Sequence, residues 1–282
     1  MMKHIDVMFE ENPRSVSRDL AEPCREVRKY FDQEVRKHPS CLLGNISPSN
    51  FLLPSETHAR KLLGDYDNGA CILEVGCGDC VDSLTLAGRH NRVWAIDISE
   101  RRLSDGRQNV IAAGKADQVF PLCMDATRLA FSDNTFDLIV GNSVLLFLDI
   151  EVFAPECYRV LKPGGRAIFP NESMALHPLM KLRRALPQVS ARERIARRIT
   201  IDSINRMSRH FDGVMHREFY LWSVLLAPLA ARYGSTRFGA TAVHFAHTFD
   251  DFLLRIVPRF RKYCWISVLE FHKAASPPLP RS

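Results

Sequence analysis

Ile72-Leu73-Glu74-Val75-Gly76-Cys77-Gly78-Asp79-Cys80, followed by Trp94-Ala95-Ile96-Asp97, is the stretch that sets the fold. An apolar run of this kind suits a strand covered on both faces. Gly76 and Gly78 let the backbone turn sharply and approach a ligand with no Cβ in the way. The helix expected next offers free N–H groups to a carboxylate or phosphate. A second apolar strand then ends in a carboxylate, Asp97, 23 residues after Glu74. That is near the roughly 20-residue spacing at which an acid binds the two ribose hydroxyls of a nucleoside. The run therefore predicts a nucleoside-binding half of an α/β sheet.

A dinucleotide fingerprint, G-x-G-x-x-G, requires a third glycine where this chain has Val81. The acid before the glycines, Glu74, points to a different cofactor. Leu73-Glu74-Val75-Gly76-Cys77-Gly78 resembles the first motif of the class I S-adenosylmethionine (SAM)-dependent methyltransferases. In that family the glycine loop wraps the methionine part of SAM and the acid after the second strand holds the ribose. Cys80 departs from the pattern, which usually has glycine there.

Further motifs follow in the family's order. Met124-Asp125-Ala126-Thr127 resembles the adenine-contacting loop, where a carboxylate accepts from the adenine amino group; an Asp that simply forms a turn is the competing reading. Phe136-Asp137-Leu138-Ile139-Val140 resembles the fourth strand, and Lys162-Pro163-Gly164-Gly165 the turn before the fifth. The resemblance covers about residues 60–172. It implies SAM as cofactor, with Glu74, Gly76, Cys77, Gly78, Asp97, Ile98, Asp125, Ala126, Asn142 and Ser143 around it. It also implies a small-molecule acceptor, closest to the group that includes quinone-biosynthesis and natural-product enzymes, with the methyl transferred by in-line displacement.

Strand candidates at 70–75, 92–96, 118–123, 136–141 and 165–170 alternate with helix candidates at 80–89, 99–113 and 150–161. A long helical region is expected over 175–210, and two later strands near 213–220 and 264–271. The alternation predicts an α/β parallel sheet, doubly wound and Rossmann-like. The resemblance adds that the sheet is seven-stranded and that its last strand enters antiparallel. Residues 1–60 form an expected helical cap, with Val27, Tyr30, Phe31 and Val35 at helical spacing and a capped helix from Ser55. Residues 61–275 form the SAM-binding domain, with substrate-covering helical segments at about 175–210 and 222–260. The proline-rich end, 276–282, is expected to be disordered.

The sequence does not single out a catalytic base. Tyr30, Asn171, Glu172, His216 and Tyr220 are candidates for the acceptor side, against the simpler alternatives of capping and packing. Composition, 46% hydrophobic and 25% charged, is that of a soluble globular chain. There is no signal-peptide core and no spanning run, and eight cysteines in a chain this long fit reduced thiols, so the cytoplasm is the expected compartment. Cys77 and Cys80 form a C-x-x-C, but no second pair has zinc spacing, and no metal is expected.

Between Lys181 and Arg209 stand nine Lys or Arg and two acids, yet no aromatic interleaves them. Nucleic acid therefore ranks low among partners, although an RNA or protein methyltransferase remains an alternative to the small-molecule reading. A SAM-fold enzyme doing other chemistry, such as cyclisation, is another. The apolar stretch from Phe219 to Ala230 is read first as lid or core, with peripheral membrane contact or a homo-oligomer interface as alternatives.

Overall fold

The computed structural model describes residues 22–33, 53–64, 66, 69–88, 90–179, 195–226 and 236–275. Its centre is a seven-stranded sheet: β1 (Cys71–Val75), β2 (Arg92–Asp97), β3 (Val119–Cys123), β4 (Phe136–Val140), β5 (Leu161–Ser173), β6 (Gly213–Phe219) and β7 (Ile266–His272). Their order is β3-β2-β1-β4-β5-β7-β6. β1 to β5 run parallel, with Leu73 opposite both Trp94 and Ile139. β7 lies antiparallel between β5 and β6. The seven-stranded sheet and its antiparallel last strand are as expected.

Every residue of β1 is buried, and all of β2 except Arg92, because helices cover both faces. One apolar layer gathers Leu73, Trp94, Phe136, Phe153, Phe169 and Phe271; the other gathers Ile72, Val93, Leu138, Ile168 and Val268. The covering helices are α1 (Glu22–Gln33), α2 (Leu53–Leu63), α3 (Val81–Leu86), α4 (Glu100–Ala112), α5 (Ile150–Val160), α6 (Ile201–Ser208) and α7 (Arg237–Ile256). The order of strands reverses between β1 and β4, so the crevice for a ligand opens at their carboxyl ends.

The loop into β4 is clamped from α5. Arg159 donates to the carbonyls of Phe131 and Leu129 at 2.7 and 2.8 Å and pairs with Asp133 and Glu156. At the foot of the sheet Asp137 accepts from the Cys71 N–H at 2.9 Å and from Lys162 Nζ at 2.8 Å. The expected turn at Lys162–Gly165 lies inside β5 as a shift of register: Phe136 faces Leu161, but Leu138 faces Arg166.

The helical region expected over 175–210 is not one helix in the described residues. Met174 bridges to Ile199, and the Ala175 N–H donates to the Ile199 carbonyl at 2.8 Å. Helical residues stand at 178–179 and 195, on either side of the undescribed 180–194, and a further helix runs from Ile201 to Ser208. At the bridge Met174 and Ile199 are buried in the core, and the Ile199 backbone pairs with Ser173 and Ala175 on either side of Met174. Residues 180–194 and 227–235 lie outside the described set, as do 1–21, 34–52 and the tail at 276–282. Among the described residues no helix is long and apolar enough to cross a membrane.

Candidate active site

The turn after β1 is drawn onto β2: Gly76 and Cys77 N–H groups both donate to the Ile96 carbonyl, at 2.8 and 3.0 Å. Gly76 and Gly78 both have positive φ, and a Cβ on Gly78 would strike the Arg102 guanidinium at 2.0 Å. The Asp97 carboxylate stands at the end of β2, where Oδ2 accepts from the Gly78 N–H and Oδ1 from the Ser99 N–H, each at 2.8 Å. These two bonds fix its orientation at the crevice. Glu74 turns to the Ser83 hydroxyl at the start of α3, and burial, reinforced by Asp82, holds its carboxyl well above the usual range. Glu74 thus organises the turn from beneath.

Cys80 is wholly buried, with φ of 60°, a conformation that favours glycine. Its sulfur sits 3.8 Å from that of Cys77. The space it fills is left by α4: a Cβ on Gly106 would lie 2.7 Å from the Cys80 Sγ. The absent glycine of the first motif is therefore matched by a glycine on the neighbouring helix. Burial raises the Cys77 thiol well above its usual range. Among the described residues no group of three or more His, Cys, Asp or Glu is placed to hold a metal ion.

Asp125 follows β3. Its Oδ1 accepts from the Thr127 N–H and hydroxyl, both at 2.8 Å, the geometry of an Asp turn. Helix α1 lies across this edge. Cys24 faces Asp125, and burial together with that charge pushes its thiol up to about 11. Asp32 of α1 accepts from the Ser99 hydroxyl at 2.6 Å. Phe31 of α1 packs on Phe147 with ring centroids 5.1 Å apart and lies beneath Arg102. Ile98 and Ala126, flanking the two loops, are half-buried and buried.

The opposite rim is a polar chain. Asn142 Nδ2 donates to Asp82 at 3.4 Å, and Asn171 Nδ2 donates to Asn142 Oδ1 at 3.3 Å. The Ser55 hydroxyl donates to Asn171 Oδ1 at 3.2 Å, and the Tyr220 hydroxyl donates to Ser55 Oγ at 2.9 Å. The Ser143 hydroxyl donates to the Asn171 carbonyl at 2.8 Å. Ser143, Asn171 and Tyr220 all have positive φ, at 53°, 57° and 65°. They follow β4, lie in β5 and follow β6, so strained backbone gathers where the strands end, as at binding sites. Next to Asn171, Glu172 is fully buried. Its Oε1 accepts from the Val144 and Leu145 N–H groups at 2.9 and 3.1 Å. Its Oε2 has no hydrogen-bond partner among the described residues. Burial lifts its carboxyl to about 8 against the pull of those N–H groups.

Of the residues proposed from sequence for the acceptor side, Asn171, Glu172 and Tyr220 meet at this rim. Tyr30 stands on α1, its ring 5.0 Å from Phe31. His216 is apart: it lies mid-strand in the outermost strand and bonds to Glu218 at 2.5 Å. Sequence reasoning did not find Ser55, Asp82, Ser99 or Asp32. Ser55, Asp82 and Ser99 at helix starts are ordinary caps in sequence and Asp32 an ordinary helix charge, and only the tertiary approach of α1 and α2 distinguishes them.

Residues 73–169 match the family model of the methyltransferase domain. The chain is 38% identical over 120 residues to demethylmenaquinone methyltransferase of Symbiobacterium thermophilum, covering 40% of this chain and 44% of that one. The chain thus spans less than half the length of the curated relatives it matches. Geranyl diphosphate C-methyltransferase from Streptomyces coelicolor A3(2) superposes with a TM-score of 0.61 at 13% identity, covering 91% of this chain and 100% of that chain. The [4+2]-cyclase SpnF superposes with a TM-score of 0.52 at 18% identity, covering 78% and 82%. At such identities the likeness is one of fold, whereas the domain match carries the motifs themselves. Motif order, sheet topology and domain match agree: residues 73–169 are similar to the methyltransferase domain, set in a sheet with the fold of SAM-dependent methyltransferases.

Proposed function

We propose that this chain transfers a methyl group from SAM to a small apolar metabolite of quinone or prenyl type. The observation that carries the reading is Asp97, held at the end of β2 by the Gly78 and Ser99 N–H groups beside a turn with bare backbone. These residues fit SAM: Asp97 for the ribose, the Gly76–Gly78 turn for the methionine portion, Asp125 and Ala126 for the adenine, and Asn142 and Ser143 where the two halves of the crevice meet. When bound, SAM supplies an electrophilic methyl on a sulfonium.

The chain's part is to orient and to hold protons. The rim from Asp82 to Tyr220 fixes the side of the crevice that an acceptor would use. Orientation of two reactants contributes several orders of magnitude in rate. With Oε1 of Glu172 committed to two N–H groups, its proton at neutral pH belongs on Oε2. The acceptor class is supported by the relatives, one named for a demethylated menaquinone and one solved with geranyl diphosphate.

Calorimetry tests the cofactor site. Asp97→Ala should weaken SAM binding by about tenfold or more, since charge-assisted bonds to a buried carboxylate contribute roughly 1.5–3 kcal/mol. Unchanged affinity would overturn the assignment. Incubation with demethylated quinones and prenyl diphosphates, followed by mass spectrometry, should show an acceptor gaining one methyl as SAM is consumed. An acceptor rearranged without SAM consumption would replace methyl transfer by cyclase-type chemistry.

A further inference from the structure

Helix α7 has two apolar faces. Val243, Asp250 and Leu254 are buried, and His247 joins them, with Nδ1 3.1 Å from the Ser223 hydroxyl and its ring 5.2 Å from that of Tyr220. Asp250 accepts from the N–H groups of Leu221, Trp222 and Ser223 at 2.9, 2.9 and 3.0 Å. At 100° per residue, Phe245, Phe249, Phe252 and Ile256 fall on the opposite side. They are exposed at 71%, 47%, 57% and 61%. Trp222 and Leu225, on the turn that Asp250 caps, are exposed at 57% and 55%. Isolated exposed apolar residues are ordinary, but a continuous stripe of this size marks an interaction surface.

The charge beside the stripe indicates its partner. From Phe252 to Leu269 the sequence has Arg255, Arg259, Arg261 and Lys262 and no carboxylate. All four basic residues are exposed. Aromatic and aliphatic side chains flanked by cations are the composition of a helix that lies in the headgroup region of an anionic bilayer. An exposed tryptophan on the neighbouring turn, Trp222, suits the same boundary. A second copy of this chain fits less well, because a twofold contact would double the cationic cluster against itself.

We infer that α7 and the turn Ser223–Leu226 dock on an anionic lipid surface through Trp222, Phe245, Phe249, Phe252 and Ile256. The inner face of α7 packs on Tyr220, whose hydroxyl belongs to the rim chain. Seating α7 in the headgroups therefore brings the acceptor side of the crevice to the membrane. The inference deepens the proposal of an apolar acceptor, yet docking itself needs no turnover, so the two fail separately.

The test is sedimentation of the full chain with vesicles of equal parts phosphatidylglycerol and phosphatidylcholine, beside vesicles of phosphatidylcholine alone. Binding is expected to the anionic vesicles and to fall at about 0.5 M salt, where screening reaches only a few ångströms. Arg255→Gln with Arg259→Gln should weaken it about twenty-fivefold, since each basic residue near such a surface is worth about fivefold. Phe249→Ser with Phe252→Ser should weaken it about tenfold or more, with circular dichroism and SAM affinity unchanged because both positions face outward. Three results would each overturn the inference: no binding to either vesicle, equal binding by the variants, or self-association in sedimentation velocity that the phenylalanine variant abolishes.

Discussion

A single carboxyl at the rim gives the site a pH signature. Glu172 is buried with one oxygen bonded to two backbone N–H groups, and its carboxyl is lifted to about 8. An exposed glutamate in the unfolded chain titrates near 4.3. Between those values the folded protein holds a proton that the unfolded chain has released. Stability is therefore highest below about pH 4 as far as this group is concerned, falls as pH rises, and levels off above about pH 8. Glu172→Gln keeps an oxygen for the Val144 and Leu145 N–H groups and carries no titrating proton. The variant should gain on the wild type between pH 5 and 8 by an amount on the order of a few kcal/mol, measured by denaturant unfolding across that range. Parallel stability curves would show that the carboxyl titrates as an ordinary glutamate. The sequence brought Glu172 forward only as a strand-end residue; its unpaired oxygen depends on the chain after β4 folding back over it. Cys80 illustrates the same limit, since its departure is visible in the motif while the space that admits it comes from Gly106, a helix away.

Elements were legible where their own sequence decides them. Cys71–Leu73, Trp94–Ile96 and Leu138–Val140 are apolar on both faces, and the structure makes them central strands. The bridge after β5 was not legible in the same way, because Met174 and Ile199 meet across 25 residues of sequence. The docking of α2 is another long-range feature. The Ser55 N–H lies in the first turn of α2, where no intrahelical acceptor exists. It donates to the Tyr220 hydroxyl at 3.1 Å, across 165 positions of sequence, and the same hydroxyl donates to the Ser55 side chain. Tyr220 thus caps a helix from the far side of the sheet. Tyr220→Phe keeps the ring packing and leaves a buried N–H without its acceptor, at a cost of about 1–3 kcal/mol. The expected outcome is a lowered midpoint in thermal unfolding, with amide exchange accelerated first in Leu53–Leu63. A variant as stable as the wild type, with unaltered exchange in α2, would show that the helix is held by its apolar contacts alone.

On the scale of the whole molecule, helices outside the sheet motif close both sides of the crevice. The sequence marked 1–60 as a cap and offered its Tyr30 for the acceptor side. In the described part of that region, α1 reaches the strand ends of β2 and β3 through Asp32 on the Ser99 hydroxyl and Cys24 facing Asp125, and packs Phe31 on Phe147. Ser99 also donates its N–H to Asp97 and, as N-cap of α4, accepts from the Arg102 N–H. The Asp97 carboxylate, the start of α4 and α1 therefore share one residue. A ligand that binds only the folded, closed arrangement stabilises it by mass action, and local opening of a covering helix is suppressed accordingly. Saturating the protein with S-adenosylhomocysteine should slow amide exchange in Glu22–Gln33 together with the Gly76–Gly78 turn, by about fivefold or more. The outer strands β6 and β7, on the far side of the sheet order, should change little. Asp32→Ala should leave the slowing in the turn and remove most of it in α1, because the turn's own bonds to Asp97 and Ile96 do not involve Asp32. Slowed exchange in the turn with none in α1 of the wild type would mean that the helix rests against the cofactor edge without closing over it.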